Sequence, residues 1–156
     1  MEPKIGIKEK NLSAVAHVLS KILADEFVLY TKTRKAHWNV EGKDFYGKHK
    51  FFEDQYKQFD DLIDNLAERI RILGHYAPAT LAEFLRLTHL GEQGREANTG
   101  NGFIKELLSD HESIIIKLRS NINRFATDYG DAGTSDFITG IIENHEKMAW
   151  MLRAHL

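Results

Sequence analysis

The placement of proline restricts the fold of this chain more than any other sequence feature. Its 156 residues include two prolines, Pro3 and Pro78, and neither falls inside the long segments in which apolar residues recur every three or four positions. Proline within a helix removes a hydrogen bond and clashes with the preceding turn, so proline-free segments of helical period can form long helices. We find no alternation typical of strands, and the sequence therefore predicts an all-α protein.

Four long helices are predicted, at about residues 11–38, 44–73 and 102–126 and from about residue 134 to the C-terminus. The glycine-rich segment between the second and third helices, residues 74–102, is a long connection in which residues 80–86 are predicted to form a short helix. This order of elements is typical of a four-helix bundle with a crossover connection. We assign residues 1–10 to an N-terminal tail and residues 11–156 to the bundle domain.

Composition excludes several classes of protein. The chain has no cysteine, which excludes disulfides, thiolate metal sites and a cysteine nucleophile, and which fits a reducing compartment. A formal net charge of −2 argues against a polycation that binds nucleic acid over its whole surface. No apolar run reaches the roughly 18 residues needed to cross a membrane, and the first residues lack the apolar core of a signal peptide. We therefore expect a cytoplasmic protein.

The second predicted helix carries a row of histidine and carboxylate side chains. Their spacings of four, seven, four and four residues place them along one side of the helix. The row consists of His49, Glu53, Asp60, Asp64 and Glu68. His37, at the end of the first helix, precedes the turn that leads into this row. Imidazole nitrogens and carboxylate oxygens are ligands suited to iron, zinc or manganese, although periodicity by itself favours a solvated charged face.

The length of the row limits how it could bind a metal. His49 and Asp64 are 15 residues apart, which corresponds to about 22 Å along a helix. The two side chains therefore cannot bind the same ion within one subunit. If two copies of the helix packed antiparallel about a two-fold axis, His49 of one chain would meet Asp64 of the other, and each dimer would hold two equivalent sites.

The row and the residues before it also resemble a known motif. Its members, in chain order, are His37-Trp38-Asn39-Val40, His49, Glu53, Asp64 and Glu68. They are similar to the ferroxidase signature of the Dps family, also called mini-ferritins: His-Trp-Asn, a second histidine twelve residues after the first, a carboxylate four residues further, and then Asp-x-x-x-Glu. The motif is specific, since five positions over 32 residues must agree. The resemblance extends from about residue 11 to the end of the chain.

This resemblance implies a ferritin-like four-helix bundle that assembles into a hollow homo-dodecamer. It implies that Asp64 and Glu68 are the principal ligands of a di-iron site, and that His37, His49 and Glu53 come from the two-fold partner. Two ferrous ions would be oxidised there, with hydrogen peroxide as the preferred oxidant. The ferric product would be stored as mineral, which protects against oxidative damage. Glu53 stands where aspartate is frequent in the family, and its longer side chain could alter how tightly the second ion is held.

The resemblance also suggests roles for residues around the site and at the far end of the bundle. Trp38 directly follows a ligand, so it either lies near the iron or simply packs as an aromatic side chain. Asp128, Asp131 and Asp136 precede or begin the last helix. They correspond to acidic residues that line ion-entry pores in the family, although carboxylates are also common at helix starts. The remaining histidines lack the motif spacing and are expected at the surface or at interfaces: His17, His75, His89, His111, His145 and His155.

Two other functions compete with the ferroxidase hypothesis. The first is a nucleoid-compacting, DNA-binding protein whose metal site is secondary. DNA binding in the family usually depends on a lysine-rich tail, but here Lys4, Lys8 and Lys10 are offset by Glu2 and Glu9, so we expect weak or absent binding. The second is a helical dimer with a redox-inactive zinc site. Against a classical ferritin, no Glu-x-x-His pair occurs on any predicted helix.

Overall fold

A computed structural model describes residues 3–92 and 99–156 of the chain. Its helices are α1 (Glu9–Asn39), α2 (Phe45–Ile72), α3 (Leu81–Leu87), α4 (Gly100–Asn123) and α5 (Ala132–Arg153). A single π-helical turn, Arg124–Asp128, follows α4. No strand occurs in this part of the chain. The predicted all-α bundle of four long helices, with a short helix in the long connection, is confirmed.

The four long helices alternate in direction except across the long connection. The start of α4 lies beside the start of α2, where the Phe103 and Phe52 rings are 6.4 Å apart. At the opposite end, Arg69 near the end of α2 pairs with Asp131 at the start of α5. The connection therefore returns the chain along the length of the bundle, and α2 and α4 run parallel. The middle of the connection, residues 93–98, lies outside the described residues.

Apolar stripes from all four long helices meet in one core. Burying a leucine or phenylalanine side chain contributes roughly 1.5–3 kcal/mol, and the core contains many such residues. Its largest fully buried side chains include Phe52, Phe59, Phe125, Leu12, Leu19, Leu23, Leu29, Leu66 and Ile70. The packing of these side chains fixes the register of the helices, and with it the positions of the polar residues between them.

Local signals in the sequence explain where several helices begin and end. The helix α2 ends at Ile72, and Gly74 follows it with a φ of +89°, the left-handed conformation that glycine adopts without a Cβ clash. In α3, the Thr80 hydroxyl accepts a hydrogen bond from the Glu83 amide while the Glu83 carboxylate accepts one from the Thr80 amide, which is a capping box. Within residues 3–92 and 99–156, no helix is long and apolar enough to span a membrane.

Two boundaries differ from the sequence prediction. The helix α1 begins at Glu9, two residues earlier than expected, so part of the predicted tail is helical. The helix α4 ends at Asn123 and passes into the π-helical turn, in which the Tyr129 amide donates to the Arg124 carbonyl, 3.1 Å away. Hydrophobic periodicity does not detect such a turn, because Phe125 is buried as the apolar pattern of a regular helix predicts.

Candidate metal centre

His37 and His49 form a reciprocal pair at the end of the bundle where α1 passes into α2. The Nδ1 atom of His37 lies 2.8 Å from the carbonyl oxygen of His49. The Nδ1 atom of His49 lies 2.8 Å from the carbonyl oxygen of His37. The two rings stack, with their centroids 3.8 Å apart. The twelve-residue spacing in the sequence is therefore the spacing at which the α1–α2 turn brings these residues into mutual contact.

These two hydrogen bonds fix the protonation of both rings. A carbonyl oxygen is only an acceptor, so each Nδ1 must carry the proton that it donates. In a neutral imidazole the other nitrogen, Nε2, then keeps its lone pair. Metal-binding histidines usually donate their second N–H to a carbonyl or carboxylate in this way, which orients the ring and makes it a better ligand. His37 and His49 thus have the orientation and tautomer of metal ligands.

An aromatic and cationic group surrounds the histidine pair. The Tyr56 ring lies edge-on to His37, with centroids 5.2 Å apart. The Arg34 guanidinium stacks on Tyr56 at 4.5 Å and on Trp38 at 5.1 Å from the ring centroids. Trp38 is 65% exposed, so it is not a core residue, and its main described contact is with this guanidinium. Sequence reasoning missed Arg34 and Tyr56, although both lie at helical spacing from the histidines.

Glu53 lies one turn after His49 on α2 and is held between two lysines. Its carboxylate bonds Lys50 at 2.7 Å and Lys57 at 2.5 Å. The hydrogen bond from Lys50, followed by that from Lys57, lowers the pKa of Glu53 to about 2. The carboxylate is therefore ionised at neutral pH, as a metal ligand must be. A cation that bound Glu53 would have to displace or share these lysines.

Asp64 and Glu68 lie on the same helix but far from the histidines. Both are exposed and stand one turn apart, and neither forms an ion pair with any side chain in residues 3–92 and 99–156. The distance from His49 to Asp64 along α2 is about 22 Å. Within that same part of the chain, no three histidine or carboxylate side chains converge on a point where one ion could bind. The structure thus brings His37 and His49 into contact. Glu53 lies one turn further along α2 on its lysine partners, and Asp64 and Glu68 lie apart from the histidines.

Comparison with known proteins decides the family. The family described as "Ferritin-like domain" matches residues 16–156. The chain is 35% identical over 139 residues to the DNA protection during starvation protein of Helicobacter pylori, covering 89% of this chain and 96% of that protein. A Dps protein from Vibrio cholerae superposes with a TM-score of 0.90 at 30% identity, covering 98% and 95% of the two chains. The chain belongs to the Dps family of ferritin-like proteins.

A third relative has a name that does not refer to Dps. It is a low temperature-induced protein of Nostoc, 38% identical over 152 residues, which cover 97% of this chain and 85% of the relative. The solved Vibrio structure is described as a member of a broad superfamily of ferritin-like diiron-carboxylate proteins. Membership of the Dps family makes iron the metal to consider at the site described above, and it agrees with the ligand types found there.

The three acidic residues assigned to a pore do not have equivalent surroundings in this Dps subunit. Asp128 and Asp136 are exposed. Asp131 is 2% exposed. Its carboxylate accepts hydrogen bonds from the Thr134 amide at 2.9 Å and from Arg69 at 3.1 Å. Asp131 is thus the N-cap of α5 and ties this helix to the end of α2. The ion-entry hypothesis therefore rests on Asp128 and Asp136, since Asp131 already has a structural role.

The expectation that His111 and His145 lie at the surface is wrong. Both are fully buried in the centre of the bundle. The His145 Nε2 atom is 2.8 Å from a carboxylate oxygen of Glu26, which is also fully buried. Each histidine occupies an apolar position of its helix, as His145 does between Ile141 and Met148. Their place in the apolar stripe was the signal, because a histidine on such a stripe lies in the core even when it matches no ligand motif.

Proposed function

We propose that this protein is a Dps-type mini-ferritin that oxidises ferrous iron at sites shared between two-fold-related subunits. Hydrogen peroxide is the proposed oxidant, and the ferric product is stored inside a hollow dodecameric shell. The observation that carries the proposal is the separation of two half-sites on one helix. His37 and His49 present two Nε2 lone pairs at one end of α2, whereas Asp64 and Glu68 present two carboxylates without ion-pair partners among the described residues at the other.

A two-fold axis would turn these half-sites into complete sites. In an antiparallel pair of α2 helices, the histidine end of each subunit faces the carboxylate end of the other, so both sites of the dimer are equivalent. A site completed in this way would offer imidazole nitrogens and carboxylate oxygens as ligands. Imidazole nitrogen is suited to ferrous iron, and hard carboxylate oxygen stabilises ferric iron. Glu53 would join the histidine half-site once its lysine partners move aside.

The proposed reaction balances with iron as the substrate. Two ferrous ions each give one electron to hydrogen peroxide, its O–O bond breaks, and two hydroxide ions form. Hydrolysis of the ferric ions yields the mineral and releases protons. Because both electrons go to one peroxide molecule, no hydroxyl radical is set free, and both reactants of radical formation are consumed. A redox-inactive zinc dimer would show neither iron oxidation nor protection from radicals, so an iron-and-peroxide assay separates the two functions.

A mixing experiment tests the shared site directly. The variants His49→Ala and Asp64→Ala should each be inactive as homo-oligomers, because every site then lacks one ligand. When the two are unfolded, mixed equally and reassembled, about half of the dimers contain one chain of each kind. One site of such a dimer carries both defects and the other is intact. About a quarter of all sites, and of the iron-oxidising activity, should therefore return.

The control is a mixture of His49→Ala with His37→Ala. Both histidines of a site come from the same chain, so mixed dimers still lack one histidine at each site and should stay inactive. Light scattering on every sample verifies that the shells have reassembled and have a mass near that of a dodecamer. Failure of the first mixture to recover activity in correctly assembled shells would contradict the shared site, as would a monomer with full activity.

A further inference from the structure

A second cluster, unrelated to the iron residues, joins an aspartate, a histidine and a serine from three elements. Asp25 is on α1, His89 is in the connection after α3, and Ser113 is in the middle of α4. The Nδ1 atom of His89 lies 2.7 Å from a carboxylate oxygen of Asp25. The Nε2 atom of His89 lies 2.9 Å from the Ser113 hydroxyl oxygen. The order carboxylate, imidazole, hydroxyl is the arrangement that activates serine nucleophiles.

The carboxylate of Asp25 is held in place by several donors. It is 2% exposed. The Thr88 hydroxyl and the His89 amide both donate to its Oδ1 atom, at 2.7 and 2.8 Å. Its Oδ2 atom is left for the His89 ring and lies 4.0 Å from the Lys117 ammonium. Because Oδ2 is an acceptor, the proton of a neutral His89 is on Nδ1, and the lone pair of Nε2 faces the serine.

Ser113 also differs from four other hydroxyl residues on the helices. Serine and threonine in a helix usually donate to the carbonyl one turn earlier. Ser20, Thr31, Thr33 and Thr139 each do so, to the carbonyls of Ala16, Phe27, Leu29 and Ser135. Ser113 is instead hydrogen-bonded to an imidazole nitrogen that can accept its proton. The serine is half-buried and the His89 side chain is 27% exposed, so a small reagent in solution can reach the hydroxyl.

We propose that Ser113 is an activated nucleophile and a site of acylation by small activated acyl donors. In the step, the Ser113 oxygen forms a bond to the carbonyl carbon of the donor while its proton passes to the Nε2 atom of His89. The bond from that carbon to the leaving group breaks, and the leaving group departs with the electron pair. Asp25 stabilises the positive charge that His89 acquires. The product is an ester on Ser113.

The position of Ser113 inside a helix makes hydrolysis of this ester slow. The backbone amides around it are used in the hydrogen bonds of α4, which spans Gly100–Asn123. The α4 amides next to Ser113 are therefore not available to form an oxyanion hole. The acyl group should therefore accumulate on Ser113 rather than be hydrolysed repeatedly. We expect a single burst of product with slow turnover, which is the behaviour of a modification site rather than of an efficient hydrolase.

The test uses p-nitrophenyl acetate and the assembled, iron-free protein. Peptide mass spectrometry should find acetyl-Ser113 formed faster than any other acetylserine. Ser120 is the matched internal control, since it is exposed on the same helix and its hydroxyl donates to the Lys117 carbonyl. Replacement His89→Gln should slow acetylation of Ser113 by about 100-fold, the usual contribution of a general base. Acetylation of Ser120 should not respond to the replacement.

A second variant separates activation from mere anchoring of the connection. Thr88→Val removes another donor to Asp25 but leaves His89 and Ser113 in place, so acetyl-Ser113 should still form faster than acetyl-Ser120. Equal rates of acetylation at Ser113 and Ser120 in the protein without substitutions would overturn the proposal. So would a His89→Gln protein that is acetylated at Ser113 as fast as the parent. Neither outcome depends on iron oxidation, because no residue of the proposed iron site takes part.

Discussion

His111 and His145 face each other across the centre of the bundle, with their Nδ1 atoms 2.9 Å apart. One of these atoms must donate a proton and the other must accept it. Both rings are fully buried, and Phe59 of α2 packs against them, so α2 adds no titratable group there. Burial, and to a lesser extent the charge of His145, lowers the pKa of His111 well below its usual value of 6.5. His111 is therefore neutral in the folded protein.

The first prediction is that acid destabilises the fold through His111. The unfolded chain binds a proton at this residue near pH 6.5, whereas the folded chain does not until the pH is much lower. The stability is thus fully present above the unfolded pKa and is lost as the pH falls below it, at up to about 1.4 kcal/mol per pH unit. Urea unfolding at fixed protein concentration between neutral and mildly acidic pH measures this slope. In His111→Leu this slope should be smaller by the amount that one bound proton contributes. Equal slopes in the two proteins would contradict a neutral, buried His111.

The second prediction contrasts a buried with an exposed glutamate. Glu26 is fully buried and pairs with His145 at 2.8 Å. Removing one partner of a buried pair leaves the other uncompensated, so Glu26→Ala should lower the free energy of unfolding by about 3–5 kcal/mol. Glu146 pairs with Arg119 at the surface, where both side chains are about half exposed. Glu146→Ala should cost less than about 1 kcal/mol. Similar losses in the two variants, measured by chemical unfolding, would argue against a role for the buried network.

The third prediction separates capping from ion entry at the start of α5. Asp131→Ala should destabilise the subunit by about 1–2 kcal/mol, because the α5 amides lose their cap and Arg69 loses its partner. Asp128→Ala and Asp136→Ala should leave stability within about 0.5 kcal/mol, since both residues are exposed. If these two residues line an entry pore, their replacement should slow uptake of ferrous iron by assembled shells. Unchanged uptake in the double variant would remove the ion-entry role.

The fourth prediction concerns the carboxylate half-site. Replacing both Asp64 and Glu68 with alanine should slow oxidation of ferrous iron by peroxide more than about tenfold, because loss of even an outer-shell partner of a metal ligand commonly costs about 10–100-fold. The fold should remain intact, because both side chains are exposed. The matched control is Asp54→Ala with Asp61→Ala, which removes two exposed carboxylates from the same helix. Stopped-flow absorbance and radical trapping are the measurements. Equal slowing in both double variants would indicate a general charge effect.

The fifth prediction concerns DNA. Lys4, Lys8 and Lys10 are nearly balanced by Glu2 and Glu9, and phosphate binding needs several cations that act together. Gel-shift experiments at physiological salt should therefore show little or no retention, and any binding should fall steeply as salt is added. Tight, salt-resistant binding at neutral pH would contradict this expectation and favour the nucleoid-compacting function instead.

The long helices and the histidine pair could be predicted from sequence because both depend on local spacing. Apolar periodicity and two well-placed prolines define the helices, and the twelve-residue spacing from His37 to His49 spans one helix–helix turn. The Glu26–His145 pair and the Asp25–His89–Ser113 cluster could not be predicted in this way. Asp25 and His89 are 64 residues apart in the sequence, and Glu26 and His145 are 119 residues apart. Only the packing of the bundle brings such distant residues together.

Asp131 illustrates a different limit. A carboxylate before a helix is compatible with a cap, an ion pair or a pore, and the sequence signal is the same for all three. What distinguishes them is whether Arg69 of α2 reaches the carboxylate, and this depends on how α2 and α5 pack. The sequence identifies the residue type that the position requires but not which of these partners it finds.

The reciprocal hydrogen bonds between His37 and His49 couple the orientations of the two rings. Each ring is oriented by the main chain of the other residue and by no other side chain's hydrogen bond among the described residues. A slip of α2 by one residue along α1 would therefore misdirect both lone pairs at once. The geometry of the proposed histidine half-site thus depends on the length of the connection between α1 and α2 rather than on the exact sequence around it.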